Sequence, residues 1–107
     1  MLPSQIVEEI ARLTQENSRG AEALFQAESE LAQAEHTLDT VEQTAFIKAE
    51  GTVADRTALA RLESADARLE RDLKRAQLNR IKTKIKTIET SLMALGTQVK
   101  LIQAEMK

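Results

Sequence analysis

The 107-residue sequence has no cysteine, tryptophan or tyrosine, and only one proline, three glycines and two phenylalanines. Each scarcity excludes something. Without cysteine there is neither a disulfide framework nor a thiolate metal site, and cysteine usage says nothing about redox compartment. With Phe25 and Phe46 as the only aromatics, burial must rest on Leu, Ile, Val and Ala, which disfavours a compact core of varied shapes. So little proline and glycine leaves few places for the chain to turn, so its elements are few and long. No apolar run approaches the roughly 20 residues that cross a bilayer, and the N-terminus lacks the basic and apolar segments of a secretory signal. A cytoplasmic protein with no membrane partner is the expectation.

What remains is rich in Ala, Leu, Glu, Gln, Lys and Arg, and no stretch alternates with the two-residue period of a strand. Intrinsic propensity therefore favours helix almost throughout, and the fold class is all-α. In the first half, Ile6, Ile10, Leu13, Leu24, Ala27, Leu31, Ala34, Leu38, Val41 and Ala45 follow the four-three spacing of a heptad seam. Asn17 and Gly20 fill the two missing seam positions, and Asn17-Ser18-Arg19-Gly20 also has the composition of a helix end, so a kink or break is a second reading there. The alternation of Leu with Ala over 24–45 predicts close approach of helix backbones.

Gly51 is the best candidate for the single turn. It can take the left-handed conformation that ends a helix, and Thr52 with Asp55 forms the pattern of a capping box for a second helix. The expected single coiled-coil domain, 1–107, therefore comprises an acidic helix over 4–50, a turn near 51–52 and a basic helix over 53–106, folded as a long antiparallel hairpin. A continuous rod is the alternative, because the first-half phase runs on into Leu59, Leu62, Asp66, Leu69, Leu73 and Ala76. The last third has the cleanest heptad: Ile81, Ile85, Ile88, Leu92, Leu95, Val99, Ile102 and Met106. Its phase differs from that leucine row, which predicts a step of the seam around the helix between Leu73 and Ile81. A lone hairpin buries one stripe per helix, so Leu24, Leu31, Leu38, Ile81, Ile85, Ile88, Leu92, Leu95, Val99 and Ile102 are also expected to join copies into an oligomeric helical bundle.

The net charge of −2 hides an asymmetry: residues 1–50 carry three Lys/Arg against ten Asp/Glu, and residues 51–107 carry twelve against seven. Antiparallel pairing would lay the acidic half on the basic half. Lys74, Arg75, Arg80, Lys82, Lys84 and Lys86 lie in a span with no acidic residue from 73 to 88. On a helical wheel Arg61, Arg68, Arg71, Arg75, Lys82 and Lys86 share a stripe about 80° wide and roughly 38 Å long, while Arg80 and Lys84 project toward the seam side. Such a stripe suits successive phosphates, the sequence-independent part of nucleic-acid binding; with no aromatic nearby to stack on bases, contact would be electrostatic and salt-sensitive. The alternative is that these cations partner the acidic half or solvate a helix face. No nucleophile motif, phosphate-binding glycine loop or metal-spaced cluster occurs; His36 reads as a surface residue, and neither catalysis nor a cofactor or metal is expected.

The segment Phe46-Ile-Lys-Ala-Glu-Gly51-Thr-Val-Ala-Asp-Arg56, followed by Ala58-Leu59-Ala60 and a basic helix ending in Ile88-Glu-Thr-Ser-Leu-Met-Ala-Leu95, resembles small helical bacteriophage proteins similar to UvsY-type recombination mediators. The resemblance covers roughly residues 40–95. It implies a homo-oligomer in a host bacterial cytoplasm that binds single-stranded DNA, contacts single-strand binding protein and helps load a recombinase. The chain is shorter than the long-studied mediator and lacks its aromatics. On this reading Arg61, Arg68, Arg71, Lys74, Arg75, Arg80, Lys82, Lys84 and Lys86 form the DNA-binding surface. The rival expectation is a coiled-coil adaptor or assembly chaperone that holds another protein's helix on Leu92, Leu95, Val99 and Ile102 and does not bind DNA.

Overall fold

A computed structural model describes residues 2–106. Among them the elements are three α-helices: α1 (Pro3–Lys48), α2 (Val53–Glu63) and α3 (Ala65–Glu105). The all-helical expectation holds, and α1 runs unbroken through Asn17-Ser18-Arg19-Gly20. Gly20 is there for proximity: a Cβ on it would lie 3.0 Å from Ile85 Cγ1.

The chain turns where glycine and the capping pattern predict. Gly51 has φ of 109°, in the left-handed region. Thr52 caps α2: its Oγ1 accepts from the Asp55 N–H at 3.1 Å, and its own N–H donates to Asp55 Oδ2 at 3.4 Å. Arg56 adds a tie that sequence periodicity does not reveal. Its Nε and Nη2 donate to the Phe46 carbonyl oxygen at 3.1 and 3.0 Å, satisfying a backbone acceptor in the last turn of α1. The guanidinium also lies 4.3 Å from the centre of the Phe46 ring. Phe46 is thus half-buried beneath Arg56, whereas Ile47 is exposed.

The single helix expected over 53–106 is interrupted at Ser64, which is fully buried. The interruption is slight, since the Ser64 N–H still donates to Ala60 O and the Arg68 N–H to Ser64 O. The hydroxyl donates to Arg61 O at 3.2 Å and accepts from Arg68 Nη2 at 3.0 Å.

Two packed units share these helices. The hairpin unit is Gln26–Asn79; the terminal unit comprises the chain up to Phe25 and from Arg80 onward. In the hairpin unit α1 runs antiparallel to α2 and α3: Glu42 meets Arg68, and Glu35, one heptad earlier on α1, meets Arg75, one heptad later on α3. Ala27, Ala34, Leu38 and Ala45 of α1 are buried, as are Ala60, Ser64 and Leu78 opposite. In the terminal unit Ile6, Leu13, Ile88 and Leu95 form a core, with Ile10, Leu92, Val99 and Ile102 packed against it. Burying Ile6, Leu13, Ile88 and Leu95 contributes about 1.5–3 kcal/mol each.

One expectation is overturned. The seam does not step between Leu73 and Ile81, because the leucine row is not the seam. Ala60, Ser64, Ala67, Arg71, Lys74 and Leu78 are the buried or half-buried positions, and their four-three spacing continues into Ile81, Ile85 and Ile88 without a break. Leu59, Leu62, Leu69 and Leu73 are exposed. The alanines of α1 explain the choice: small residues let two backbones come close only where the opposite helix is small too, as at Ala60, Ser64 and Ala67. Arg71 and Lys74 can then lie along the contact with their charged ends outward.

Candidate nucleic-acid interface

The cations of α2 and α3 divide by position. In the hairpin unit most have an acidic partner. Arg68 Nη2 lies 3.5 Å from Glu42 Oε2, Lys74 Nζ 3.3 Å from Glu30 Oε2, and Arg75 Nη2 3.7 Å from Glu35 Oε1, all three on α1. Arg71 Nε donates to the adjacent Asp72 at 2.9 Å. Glu30 shows the electrostatic consequence: a hydrogen bond from the Gln26 amide, then the bond and charge of Lys74, hold its carboxyl below the usual carboxylate range. Arg61 is exposed and has no ion pair among the described residues.

The run Arg80, Lys82, Lys84 and Lys86, in the terminal unit, behaves differently. All four are exposed. None makes an ion pair among the described residues, whose bridges lie at Arg12, Arg68, Arg71, Lys74 and Arg75. At 100° per residue, Arg80 with Lys84 and Lys82 with Lys86 form two i,i+4 rows flanking the seam positions Ile81 and Ile85. Lys84 borders a groove of about 310 Å³ where Gly20 and Ala23 of α1 face Ile81 and Ile85, with Glu16 and Arg19 at its mouth. Glu16 is paired within its own helix to Arg12, at 2.8 Å. Arg19, which the basic stripe did not include, therefore adds a fifth cation beside Lys84.

The residues expected to join copies mostly pack within the chain. Ile88, Leu92, Leu95, Val99 and Ile102 pack with the N-terminal part of α1, Ile81 and Ile85 line the groove at Gly20, Leu38 is buried, and Leu24 and Leu31 are half-buried. His36 is exposed. Among the described residues no helix is long and apolar enough to cross a membrane.

Comparison with protein-family models, with curated proteins and with solved structures gives no match.

Proposed function

We propose that this is a non-catalytic helical binding protein that engages the phosphate backbone of single-stranded DNA, in the manner of a recombination mediator. The observation that carries the reading is the contrast along α3. Arg68, Lys74 and Arg75 are matched to carboxylates of α1, whereas Arg80, Lys82, Lys84 and Lys86 stand exposed without an acidic partner among the described residues. A purely solubilising face mixes both signs, and a run of one sign supplies what phosphate contacts need. The surface thus narrows to Arg80–Lys86, with Arg19 beside Lys84. Contact with single-strand binding protein and a recombinase in a host bacterial cytoplasm, and assembly of several copies, extend the same proposal. Assembly would use outer faces, because the seam is filled from within the chain.

Fluorescence anisotropy of a labelled single-stranded oligonucleotide and of its duplex tests it. The expectation is preference for the single strand, and a slope of log affinity against log salt of roughly −2 to −3 for about four phosphate contacts. Changing Arg80, Lys82, Lys84 and Lys86 together to Glu should abolish binding with helicity retained. No binding at low salt, or equal binding by that variant, would sink the proposal.

A further inference from the structure

Leu59, Leu62, Leu69 and Leu73 lie on the outer face of α2 and α3, and are 44%, 73%, 59% and 57% exposed. Their spacing puts them on one side of a helix, and the backbone bonds on either side of Ser64 keep the helical rotation going across the interruption. Four leucines aligned in water along one helix face are more than a face meant only for solvent carries.

One flank of this leucine row is acidic. Glu63, Asp66 and Glu70 are interleaved with them and exposed. Glu63 and Asp66 have no ion pair among the described residues, and Glu70 has only Lys74 at 3.8 Å. Of the arginines nearby, Arg56 is engaged on the Phe46 carbonyl, Arg68 on Glu42 and Ser64, and Arg71 on Asp72, while Arg61, exposed and without an ion pair among the described residues, lies on the opposite flank of the row from Glu63, Asp66 and Glu70. We propose that this face docks an amphipathic helix of another protein, apolar on one side with lysine or arginine flanking the apolar stripe. Leucines would enter between the facing side chains as in a coiled coil, and the flanking cations would meet Glu63, Asp66 and Glu70.

A second copy of the chain fits poorly. Antiparallel pairing that sets Leu59 on Leu73 also sets Asp66 on Asp66 and Leu62 on Glu70, and in-register parallel pairing again sets Asp66 on Asp66. Like charges at such positions oppose association. An anionic lipid surface is disfavoured for the same reason. The inference does not depend on nucleic-acid binding, whose cations lie elsewhere on α3.

The test uses the full chain and two labelled synthetic helical peptides, one with a leucine stripe flanked by lysines and its counterpart with glutamates. Fluorescence anisotropy should show saturable binding of the lysine peptide alone. Leu62→Ser with Leu69→Ser should weaken it by about tenfold or more, as loss of central anchors does. A separate variant, Glu63→Lys with Asp66→Lys and Glu70→Lys, should weaken it likewise and admit the glutamate peptide. Failure to bind the lysine peptide, or unchanged binding by both variants, would overturn the proposal. So would a dimer in sedimentation velocity that the serine variant dissolves, which would assign the face to a second copy.

Discussion

At the residue scale, two side-chain choices at the turn decide how the hairpin closes. Gly51 sits at φ of 109°, and a Cβ there would come within 3.1 Å of Asp55 Oδ2, the carboxylate that completes the cap. Gly51→Ala should therefore destabilise by about 1–2 kcal/mol, read as a lower urea midpoint at unchanged slope. Arg56 acts across the turn, holding the Phe46 carbonyl with two N–H groups while covering its ring. Arg56→Ala should cost about 1–2 kcal/mol, and Arg56→Lys should recover only part of it, since an ammonium cannot reproduce the planar two-donor grip. Full recovery by lysine would mean that charge alone matters there. The capping box was legible in Thr52 and Asp55 because it depends on residues three apart. The role of Arg56 was not, because its partner lies ten residues away across the turn and is a backbone oxygen.

At the element scale, α2 and α3 together carry two leucine populations that a composition count cannot tell apart. Leu95 is 7% exposed within the core of Ile6, Leu13 and Ile88, whereas Leu62 is 73% exposed. Leu95→Ala should cost about 2–4 kcal/mol by loss of burial and creation of a cavity. Leu62→Ala should stay within about 0.5 kcal/mol. Thermal melts of the two variants separate the cases; equal losses would show that the leucine row is part of the folded core after all. The heptad of the last third was readable since its apolar positions are large and uninterrupted. The true seam over 60–78 was hidden because it consists of Ala60, Ser64, Ala67, Arg71, Lys74 and Leu78, a set with one large apolar residue, beside a more conspicuous row of leucines.

For the whole molecule, two kinds of packing divide the chain. The terminal unit rests on isoleucine, leucine and valine, while the hairpin unit combines small residues with ion pairs between helices. The Glu30 carboxyl, held below its usual range by Gln26 and Lys74, shows the sign of the pH effect. Its folded pKa is depressed, so its stabilising contribution is present above the unfolded carboxylate pKa and lost as pH falls through the folded one. Glu9 is lowered too, by its hydrogen bond with Arg12, but that pair lies within α1 and its loss parts no helices. Salt of about 1 M, with a Debye length near 3 Å, weakens the same interhelical pairs. Hydrogen exchange should therefore show residues 26–79 losing protection, on acidification or in high salt, before the amides around Ile6, Leu13, Ile88 and Leu95. Parallel loss in both units would show that the ion pairs contribute nothing.

The sequence by itself determined the helical class, the glycine turn with its cap, the close-packed alanine face of α1 and the matching of an acidic half to a basic half. These follow from propensity, from short-range spacing and from charge, which act along the chain. Only the tertiary structure decided which stripe of residues 59–78 faces α1, and with it which cations are consumed and which leucines are left outside. A helical wheel shows that two stripes exist; the partner selects between them. The alanines of α1 draw the backbones close, so that small residues and long cationic stems fit opposite them at 60–74, and a leucine enters the contact only at Leu78.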